Sequence, residues 1–303
     1  MKYRTLGNSG LVVSAIGLGC VTFGREIDAA ASFAVMDRAV AAGITLFDTA
    51  EAYAGGQSEE IVGRWLAERG TRDRIVLTTK VRPPLGRSRV LESAEISLRR
   101  LRTDVIDLFL LHSWDPAAPL DETLEGLDAL VRQGKARAVG CSNVAAWQLC
   151  KALWRQDVRD WPRMEAVQEN YNLVVRDIER ELLPLCADQQ VGVITYSPLG
   201  GGFLTGKYAR DGAAPAGTRF DVVPGMQPIY LHEAGFRVLA GLEGKAAALG
   251  TTAPLLAIAW AMTHPDIASV LIGARSPEQV DQALEAGALG MTPELRAELS
   301  ALC

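Results

Sequence analysis

The stretch IVLTTKVRPPLGRSRVLESAEISLRRLRTDVIDLFLLH, residues 75–112, contains one complete strand–helix–strand unit. Residues 75–79 and 106–111 are short, mostly apolar runs, which is typical of strands buried on both faces of a parallel sheet. Between them, residues 89–101 carry apolar side chains at helical spacing. Two parallel strands joined by a helix form the repeating unit of α/β folds, so this stretch predicts an α/β protein.

The same unit recurs on both sides of this stretch. Strands are predicted at residues 15–18, 45–47, 75–79, 106–111, 136–140, 166–169, 193–196 and 269–272. Helical patterns fill most gaps, at residues 29–42, 89–101, 121–133, 144–154, 178–189 and 277–284, with another helix starting at Ser58. Eight strands alternating with helices predict a closed (β/α)8 barrel, the TIM-barrel architecture.

Three segments depart from this alternation. Residues 3–6 and 11–13, joined by a turn at 7–10, predict an N-terminal β-hairpin. A long insert follows the seventh strand: residues 200–228 are rich in glycine and proline and predict a loop, and residues 231–249 and 254–262 predict helices. Residues 293–302 predict a further helix near the C-terminus. Since no segment has the composition of a linker, we expect one domain spanning residues 1–303.

Composition and charge exclude several classes of protein. The net charge of −5 argues against a nucleic-acid or anionic-membrane partner, although it allows a local basic pocket. The N-terminus lacks a signal-peptide pattern, and no apolar run reaches the ~20 residues of a membrane span. We therefore expect a cytoplasmic protein.

The cysteines indicate neither a disulfide framework nor a metal site. Their number is odd and no two form a CxxC pair. The sequence therefore predicts free, buried thiols in a reducing compartment, at Cys20, Cys141, Cys150, Cys186 and Cys303.

Polar side chains follow the predicted strands at the end where barrel enzymes carry their catalytic groups. Asp48, Lys80 and His112 end the second, third and fourth strands, and Tyr53 lies in the loop after the second. A phenol has an ordinary pKa of about 10, and a nearby ammonium lowers it. Lys80 can supply that charge, Asp48 can hold Lys80, and His112 can orient a carbonyl oxygen. A proton donor of this kind implies carbonyl reduction, and the missing hydride implies a nicotinamide.

Several motifs resemble those of the aldo-keto reductase family. LFDTAEAY at residues 46–53, with Gly55 and Ser58–Glu59, resembles the family signature DTAxxY…G…SE. IDLFLLH at 106–112 and VGCSN at 139–143 are similar to its DLxxxH and VGxSN motifs. YSPLGGGFLTGKY at 196–208 resembles YSPLxxGxLTGK, a motif of the branch that includes bacterial members and channel β-subunit-like proteins, and GLGCVTFG at 17–24 also fits. The resemblance extends from residue 3 to about 284, with these motifs in order.

The resemblance implies a catalytic tetrad of Asp48, Tyr53, Lys80 and His112, with Tyr53 as the general acid/base. It also implies NADPH, or its oxidised form NADP+, lying across the barrel mouth. Ser142, Asn143 and Gln168 would bind the carboxamide, and Tyr196 would stack on the nicotinamide. Phosphate contacts would come from Ser197, Leu199, Gly200, Gly202, Lys207 and Arg219, and the remaining contacts from Gly19, Cys20, Val21, Asp48, Pro198, Gly273, Arg275, Gln279 and Gln282.

The last cofactor motif departs from the family pattern PGAxxxxQxxEN. Here the segment reads IGARSPEQVDQA, so that Ile272, Gln282 and Ala283 replace the proline, glutamate and asparagine. The adenine contact of that asparagine is therefore not carried over. Arg275 can still recognise a 2′-phosphate with bidentate geometry, which favours NADPH over NADH without deciding between them.

The expected substrate is a small carbonyl compound, which Tyr53, His112 and Trp114 would contact. Two other functions stay open at this stage. The chain can be a cofactor-binding regulatory or redox-sensing subunit with little turnover, although His112 argues against this. It can also be a barrel enzyme that uses Lys80 as a Schiff base, although the cofactor motifs argue against that. The sequence leaves the substrate, the direction of reaction and the oligomeric state open.

Overall fold

The structure, a computed structural model, describes residues 1–302. The longer elements are β1 (Tyr3–Thr5), β2 (Val12–Ser14), β3 (Ile16–Gly19), α1 (Ala29–Ala41), β4 (Leu46–Asp48), α2 (Gln57–Arg69), β5 (Val76–Val81), α3 (Arg87–Leu101), β6 (Ile106–Leu111), α4 (Leu120–Arg132), β7 (Ala136–Ser142), α5 (Ala146–Arg159), β8 (Met164–Asn170), α6 (Leu182–Gln189), β9 (Gly192–Tyr196), α7 (Arg219–Val222), α8 (Gln227–Tyr230), α9 (Glu233–Leu249), α10 (Ala253–Met262), β10 (Ser269–Gly273), α11 (Pro277–Ala288) and α12 (Pro293–Ser300).

Within residues 1–302, eight parallel strands close a barrel in sequence order from β3 to β10, and β10 pairs back onto β3. The predicted (β/α)8 barrel is thereby confirmed, as is the N-terminal hairpin, in which β1 pairs antiparallel with β2. The strands are buried along both faces because one face lines the barrel interior and the other packs on the helices. In β6, for example, every residue is buried.

The hairpin plugs the N-terminal end of the barrel. Leu6 and Val13 are buried in one cluster with interior residues of the strands, such as Leu108 and Ile194. Its turn packs so closely that a Cβ on Gly7, which has φ +54°, would lie 2.6 Å from a backbone carbonyl oxygen. Only glycine fits this approach and this backbone conformation. Because the hairpin fills this end, the C-terminal ends of the strands are left to form the site.

The insert after β9 differs from the expected loop. Residues 200–228 contain 3-10 turns at Gly200–Thr205 and Pro224–Met226, the short helix α7, and the start of α8. Tyr208 and Phe220 stack with ring centroids 4.1 Å apart, and Phe220 and Tyr230 stack at 5.8 Å. These aromatic side chains are buried and fold the segment onto the body of the protein. The sequence did not predict this anchor, because its aromatic residues are far apart and lie among glycines and prolines.

Smaller differences concern helix limits and cysteines. The helix expected at residues 178–189 is divided into a 3-10 turn, Asp177–Glu179, and α6, and α5 runs on to Arg159 rather than ending at residue 154. Cys150 is exposed, contrary to expectation, because it lies on the outer face of α5. Cys20, Cys141 and Cys186 are buried and free, and Cys303 lies outside the described residues.

No single helix within residues 1–302 has the length and apolar character of a membrane span. Helices α9 and α10 meet that test only when taken together, and the two are bent by 100° at the break between them.

Candidate active site

The centre of the site is the fully buried ammonium group of Lys80 on β5. Its Nζ donates hydrogen bonds to Asp48 Oδ2 at 2.6 Å, to the carbonyl oxygen of Thr49 at 2.9 Å and to Tyr53 OH at 3.2 Å. An ammonium has three hydrogens, so this set satisfies it completely. Burial alone lowers the pKa of Lys80, but the neighbouring Asp48 carboxylate and Tyr53 phenol outweigh it and raise that pKa above its ordinary value. Lys80 therefore carries its charge at neutral pH.

Asp48, at the end of β4, is held from two sides. Its Oδ2 accepts from Lys80, and its Oδ1 accepts a 2.7 Å hydrogen bond from Gln168 Nε2 on β8, across the barrel. The sequence motif assigns Gln168 to the cofactor carboxamide. In the structure its amide nitrogen supports Asp48, a role that the sequence did not indicate.

Tyr53 begins a 3-10 turn, Tyr53–Gly56, which continues through the left-handed residues Ala54 and Gly55. The turn brings the phenol under Lys80 Nζ, which lies 4.9 Å from the ring centroid. Tyr53 OH accepts from Lys80, and within residues 1–302 no acceptor faces its hydroxyl hydrogen. That hydrogen is free to be given to a ligand.

The pKa of Tyr53 differs from the sequence-based expectation. Burial raises the pKa above its ordinary value and outweighs Lys80, which lowers it, while Asp48 raises it further. Lys80 does lower this pKa, as the sequence predicts, but the net shift is upward because a phenolate would be poorly solvated in so buried a place. Tyr53 is therefore a neutral phenol at physiological pH.

His112 follows β6 and faces Tyr53, with ring centroids 5.7 Å apart in an edge-to-face arrangement. Burial, followed by the charges of Lys80 and Arg82, lowers the pKa of His112 to about 3. Its imidazole is therefore neutral at physiological pH. Its Nδ1 is buried and has no hydrogen-bond partner within residues 1–302, although such atoms ordinarily have one.

Ser142 and Asn143, after β7, form the next part of the rim. Asn143 is left-handed, with φ +56°, and its Nδ2 donates to the carbonyl oxygen of His112 at 2.9 Å. Its Oδ1 accepts from Tyr196 OH at 2.7 Å, and Ser142 Oγ donates to the carbonyl oxygen of Gln168 at 2.6 Å. These residues, taken from separate motifs, thus form one hydrogen-bonded arc beside His112.

Two further strand ends, those of β3 and β10, meet beside Asp48. The parallel register places Gly19 next to both Asp48 and Gly273, and the Cys20 amide donates to the carbonyl oxygen of Asp48 at 2.8 Å. Burial raises the pKa of the Cys20 thiol far above its ordinary range, so this cysteine stays protonated and unreactive. Val21 continues the same turn, which ends in buried Phe23.

The turn after β9 bends through residues of positive φ. Ser197, Gly200, Gly201 and Gly202 have φ values of +57°, +57°, +66° and +91°, and the Gly200 amide donates to the carbonyl oxygen of Ser197 at 2.8 Å, across Pro198 and Leu199. Successive left-handed residues of this kind turn backbone amides toward one side, which suits an anion. A Cβ on Gly202 would lie 2.6 Å from Lys207 Nζ, so the lysine folds back against this turn.

Two arginines near the glycine turn, Arg219 and Arg275, form ion pairs with the same carboxylate. Arg219 and Arg275 lie 3.6 and 3.7 Å from Glu26 Oε1, and Nη1 of Arg219 is buried without a hydrogen-bond partner within residues 1–302. Glu26 was not singled out from the sequence. No local pattern marks it, because its partners lie far along the chain.

The adenine-end residues are placed on or before α11. Gln279 Oε1 accepts from the Arg275 amide at 2.8 Å, which fixes the turn that carries this arginine. Gln282 is exposed, and Ala283 is buried against the core. Position 283 therefore offers no polar contact to an adenine.

Two tryptophans from neighbouring loops form a pair: Trp114, in the segment after His112, and Trp147, at the start of α5. Trp114 is partly buried, and its ring meets that of Trp147 edge-to-face with centroids 6.0 Å apart. Trp147, on the first turn of α5, is 60% exposed. Sequence reasoning missed Trp147, although its place just after the Ser142–Asn143 motif was a usable signal.

Glu169 follows Gln168 near the end of the same strand, and the sequence indicates no particular role for it. It is buried on β8, and its Oε1 accepts from the Val144 amide at 2.9 Å, which supports the loop after β7. Burial raises the pKa of Glu169 to about 7, and the amides of Val144 and Asn143 limit the rise.

The sequence matches the model of the aldo/keto reductase family over residues 15–302. It is 34% identical to "Uncharacterized oxidoreductase YrpG" of Bacillus subtilis, over 97% of this chain and 94% of that protein. It is also 34% identical to "Probable voltage-gated potassium channel subunit beta" of Arabidopsis thaliana, over 94% and 91%. Identity is 30% to "Versiconal hemiacetal acetate reductase" of Aspergillus parasiticus, over 97% and 94%.

Proposed function

The chain belongs to the aldo/keto reductase family, and from this premise we propose that it is an NADPH-dependent reductase of aldehydes or ketones. The observation that carries the proposal is the Lys80 network. It holds a neutral phenol, Tyr53, whose hydroxyl hydrogen has no acceptor within residues 1–302. The names of relatives as an oxidoreductase and a reductase support the same reaction class.

In the proposed reaction, Tyr53 donates its proton to the carbonyl oxygen as negative charge develops there. Lys80, at 3.2 Å, stabilises the resulting phenolate, and Asp48 keeps Lys80 in position. Neutral His112 orients the carbonyl oxygen by hydrogen bonding. The nicotinamide supplies the hydride that no side chain can provide. The phenolate then recovers its proton from solvent.

The described residues fit a phosphorylated dinucleotide. Nη1 of Arg219 is buried and has no hydrogen-bond partner within residues 1–302, and the left-handed turn at residues 200–202 lies beside Lys207. Arg275 completes a cationic rim suited to a 2′-phosphate. Ser142, Asn143 and Gln168 would hold the carboxamide, with Tyr196 against the ring. Gly19, Cys20, Val21, Ser197, Pro198, Leu199, Gly273, Gln279 and Gln282 would border the remainder.

We also propose that Trp114 and Trp147 form one wall of the substrate site. Trp114 lies in the segment after His112, and its edge-to-face pair with Trp147 leaves Trp147 largely exposed. A surface of this kind favours planar or apolar carbonyl compounds. We place this small-molecule reaction in the cytoplasm.

One relative supports a second candidate, a cofactor-binding subunit that regulates a partner. It is named as a probable channel subunit beta and matches nearly the whole chain. Such a subunit would bind the dinucleotide without needing fast turnover. By contrast, the geometry disfavours a Schiff-base enzyme, because the raised pKa of Lys80 keeps its amine protonated and non-nucleophilic.

The test is a titration of the purified protein with NADPH and with NADH, followed by tryptophan fluorescence. Turnover is then measured at the nicotinamide absorbance band with a panel of aromatic and aliphatic aldehydes and ketones. We expect tighter binding of NADPH and faster reduction of the aromatic compounds. Binding without turnover on any compound would favour the regulatory candidate, and no binding of either dinucleotide would overturn both.

A further inference from the structure

A buried carboxylate, that of Glu26, lies among three arginines from three separate parts of the chain. Arg25 is its neighbour in the loop after β3, Arg219 lies on α7, and Arg275 follows β10. The Glu26 side chain is only 4% exposed. None of the family motifs includes Glu26, and the proposed chemistry does not use it.

The three arginines make different contacts with this carboxylate. Arg25 is bidentate, with Nε 2.7 Å from Oε2 and Nη2 2.6 Å from Oε1. Arg219 and Arg275 approach Oε1 only to 3.6 and 3.7 Å, which is ion pairing without a hydrogen bond. The two long pairs are therefore the easier ones to exchange, and Arg25 keeps Glu26 satisfied if they leave.

These two pairs hold a segment in place. We call residues 206–230, between the glycine turn and α9, the strap. Arg219 lies within the strap, and Arg275 donates through Nη1 to the carbonyl oxygen of Gly217, also in the strap, at 2.8 Å. Arg219 reaches far enough over the mouth for its charge to lower the pKa of Tyr53, against the larger effect of burial. Glu26 thus ties the strap to the loop that follows β3.

The balance of charge at this rim is positive. Three guanidinium groups face one carboxylate, which leaves an excess of two positive charges in a chain whose net charge is −5. Lys207 is a further cation of this rim. Burial lowers its pKa first, and the positive charge of the neighbouring Arg275 lowers it further. Repulsion of this kind is relieved by a dianionic group such as a phosphate ester.

We propose that Glu26 is an internal counter-ion that holds the strap closed when no dinucleotide is bound and competes with the ligand's phosphate for Arg219 and Arg275. When a phosphate binds, both guanidinium groups transfer from a long ion pair to charge-assisted hydrogen bonds, and Glu26 stays on Arg25. Glu26 therefore sets both the access to the mouth and the affinity for a phosphorylated ligand. The second part rests on the proposed function, and the first does not.

The test is Glu26→Gln, which keeps the side-chain shape and removes the charge. Limited trypsin digestion of the ligand-free protein reports on the strap, which carries cleavage sites at Lys207, Arg210 and Arg219. We expect cleavage there about five-fold faster than in the wild type, because two weak ion pairs are lost. In fluorescence titrations we expect the Kd for NADPH to fall about five-fold and that for NADH to change less.

Glu60→Gln is the matched control. Glu60 is an exposed carboxylate that lines the same hollow beside Glu26, and it forms no ion pair within the described chain. We expect its cleavage rate and both Kd values to match the wild type. Circular dichroism melting of both variants reports on folding, and we expect a two-state transition near the wild-type midpoint in each.

Unchanged strap cleavage in Glu26→Gln would overturn the closure role. An equal or higher Kd for NADPH would overturn the competition. If Glu60→Gln changed strap cleavage and the Kd for NADPH as much as Glu26→Gln does, the effects would come from the change in net charge. That outcome would overturn both the closure role and the competition. If neither dinucleotide binds the wild type, the proposed function fails, whereas the digestion still decides the closure role on its own.

Discussion

The two sides of the barrel mouth are held by different kinds of contact. On the side of β4 and β5, Lys80 and Asp48 are buried and joined at 2.6 Å, with each polar atom bonded. On the side of the strap, Arg219 and Arg275 lie 3.6 and 3.7 Å from Glu26, and their side chains are 24% and 36% exposed. Short buried hydrogen bonds fix one geometry, whereas long ion pairs that lack a hydrogen bond exchange partners more readily.

This difference matches the work that the two sides would do. A proton donor must be held within a few tenths of an ångström of its place, which the barrel strands provide. A strap that admits and retains a large ligand must move, so its contacts have to be individually weak. Mutations on the first side should therefore affect chemistry and folding, and those on the second side should affect binding.

The largest effect is expected for Tyr53→Phe, which removes the proton donor and little else. We expect the rate of carbonyl reduction to fall about 10³-fold, while the Kd for NADPH and the melting midpoint stay near wild type. Steady-state kinetics with the best substrate of the panel would measure this.

Tyr3→Phe is the control for the same chemical change at an exposed tyrosine on β1, whose hydroxyl donates to the carbonyl oxygen of Gly43. It should leave the rate unchanged. A Tyr53→Phe enzyme that keeps near-wild-type turnover would remove Tyr53 as the acid and, with it, the contrast between the two sides.

Lys80→Met should give the largest loss of stability. It leaves the Asp48 carboxylate buried without its cation, which ordinarily costs roughly 3–5 kcal/mol of the free energy of unfolding. Urea titration monitored by circular dichroism measures that free energy. Lys245→Met breaks an exposed pair with Glu298 and should cost under about 1 kcal/mol. Similar losses for the two variants would show that the buried network contributes no more than a surface pair.

The fold was largely predictable because buried parallel strands are unbroken apolar runs. The limits of β6 agree with the prediction at both ends. Strand ends then brought Asp48, Lys80 and His112 to one mouth, since topology alone collects them there. Residues 200–228 were predicted as a loop, and the short helices and 3-10 turns within them were not foreseen. The rings that anchor this segment, such as Phe220 and Tyr230, are separated by glycine and proline and form no regular pattern.

Other features depend on distance in space rather than in sequence. Glu26 is separated from Arg219 and Arg275 by most of the chain, so no local pattern could pair them. The net direction of the Tyr53 pKa shift depends on how deeply the phenol is buried, and sequence gives the neighbouring charge but not the burial. Gln168 was expected at the mouth, but its bond to Asp48 joins β8 and β4, two strands that meet only across the closed barrel.

His112 predicts a pH dependence of stability on the rigid side. The pKa of His112 is about 3 in the folded chain and about 6.5 in the unfolded chain. Between these two pH values the unfolded chain therefore binds a proton at His112 and the folded chain does not. The corresponding stability is present above the unfolded pKa and is lost as pH falls below it. Between pH 7.5 and pH 5 we expect His112 to account for a loss of about 2 kcal/mol.

The measurement is the free energy of unfolding in urea at both pH values for the wild type and for His112→Asn, which cannot take up the proton. The difference between the two pH slopes isolates His112, because other groups, including Glu169, are common to both proteins. Glu169 acts in the opposite sense: its raised pKa of about 7 makes stability fall as pH rises toward that value. Identical slopes would mean that His112 is freely protonated in the folded protein.

The smallest effect in free energy is expected on the side of the strap, for Arg275→Gln. It removes a charge proposed to meet the 2′-phosphate, so the Kd for NADPH should rise about ten-fold while that for NADH changes little. The rate at saturating NADPH and the free energy of unfolding should stay near wild type, because Arg275 is partly exposed and lies outside the Lys80 network.

Arg210→Gln removes the same charge from the strap at an exposed pair with Glu233 and should leave both Kd values unchanged. A drop in saturated turnover comparable to the loss of affinity would mean that the strap takes part in the chemical step, and the two sides of the mouth would then act as one unit.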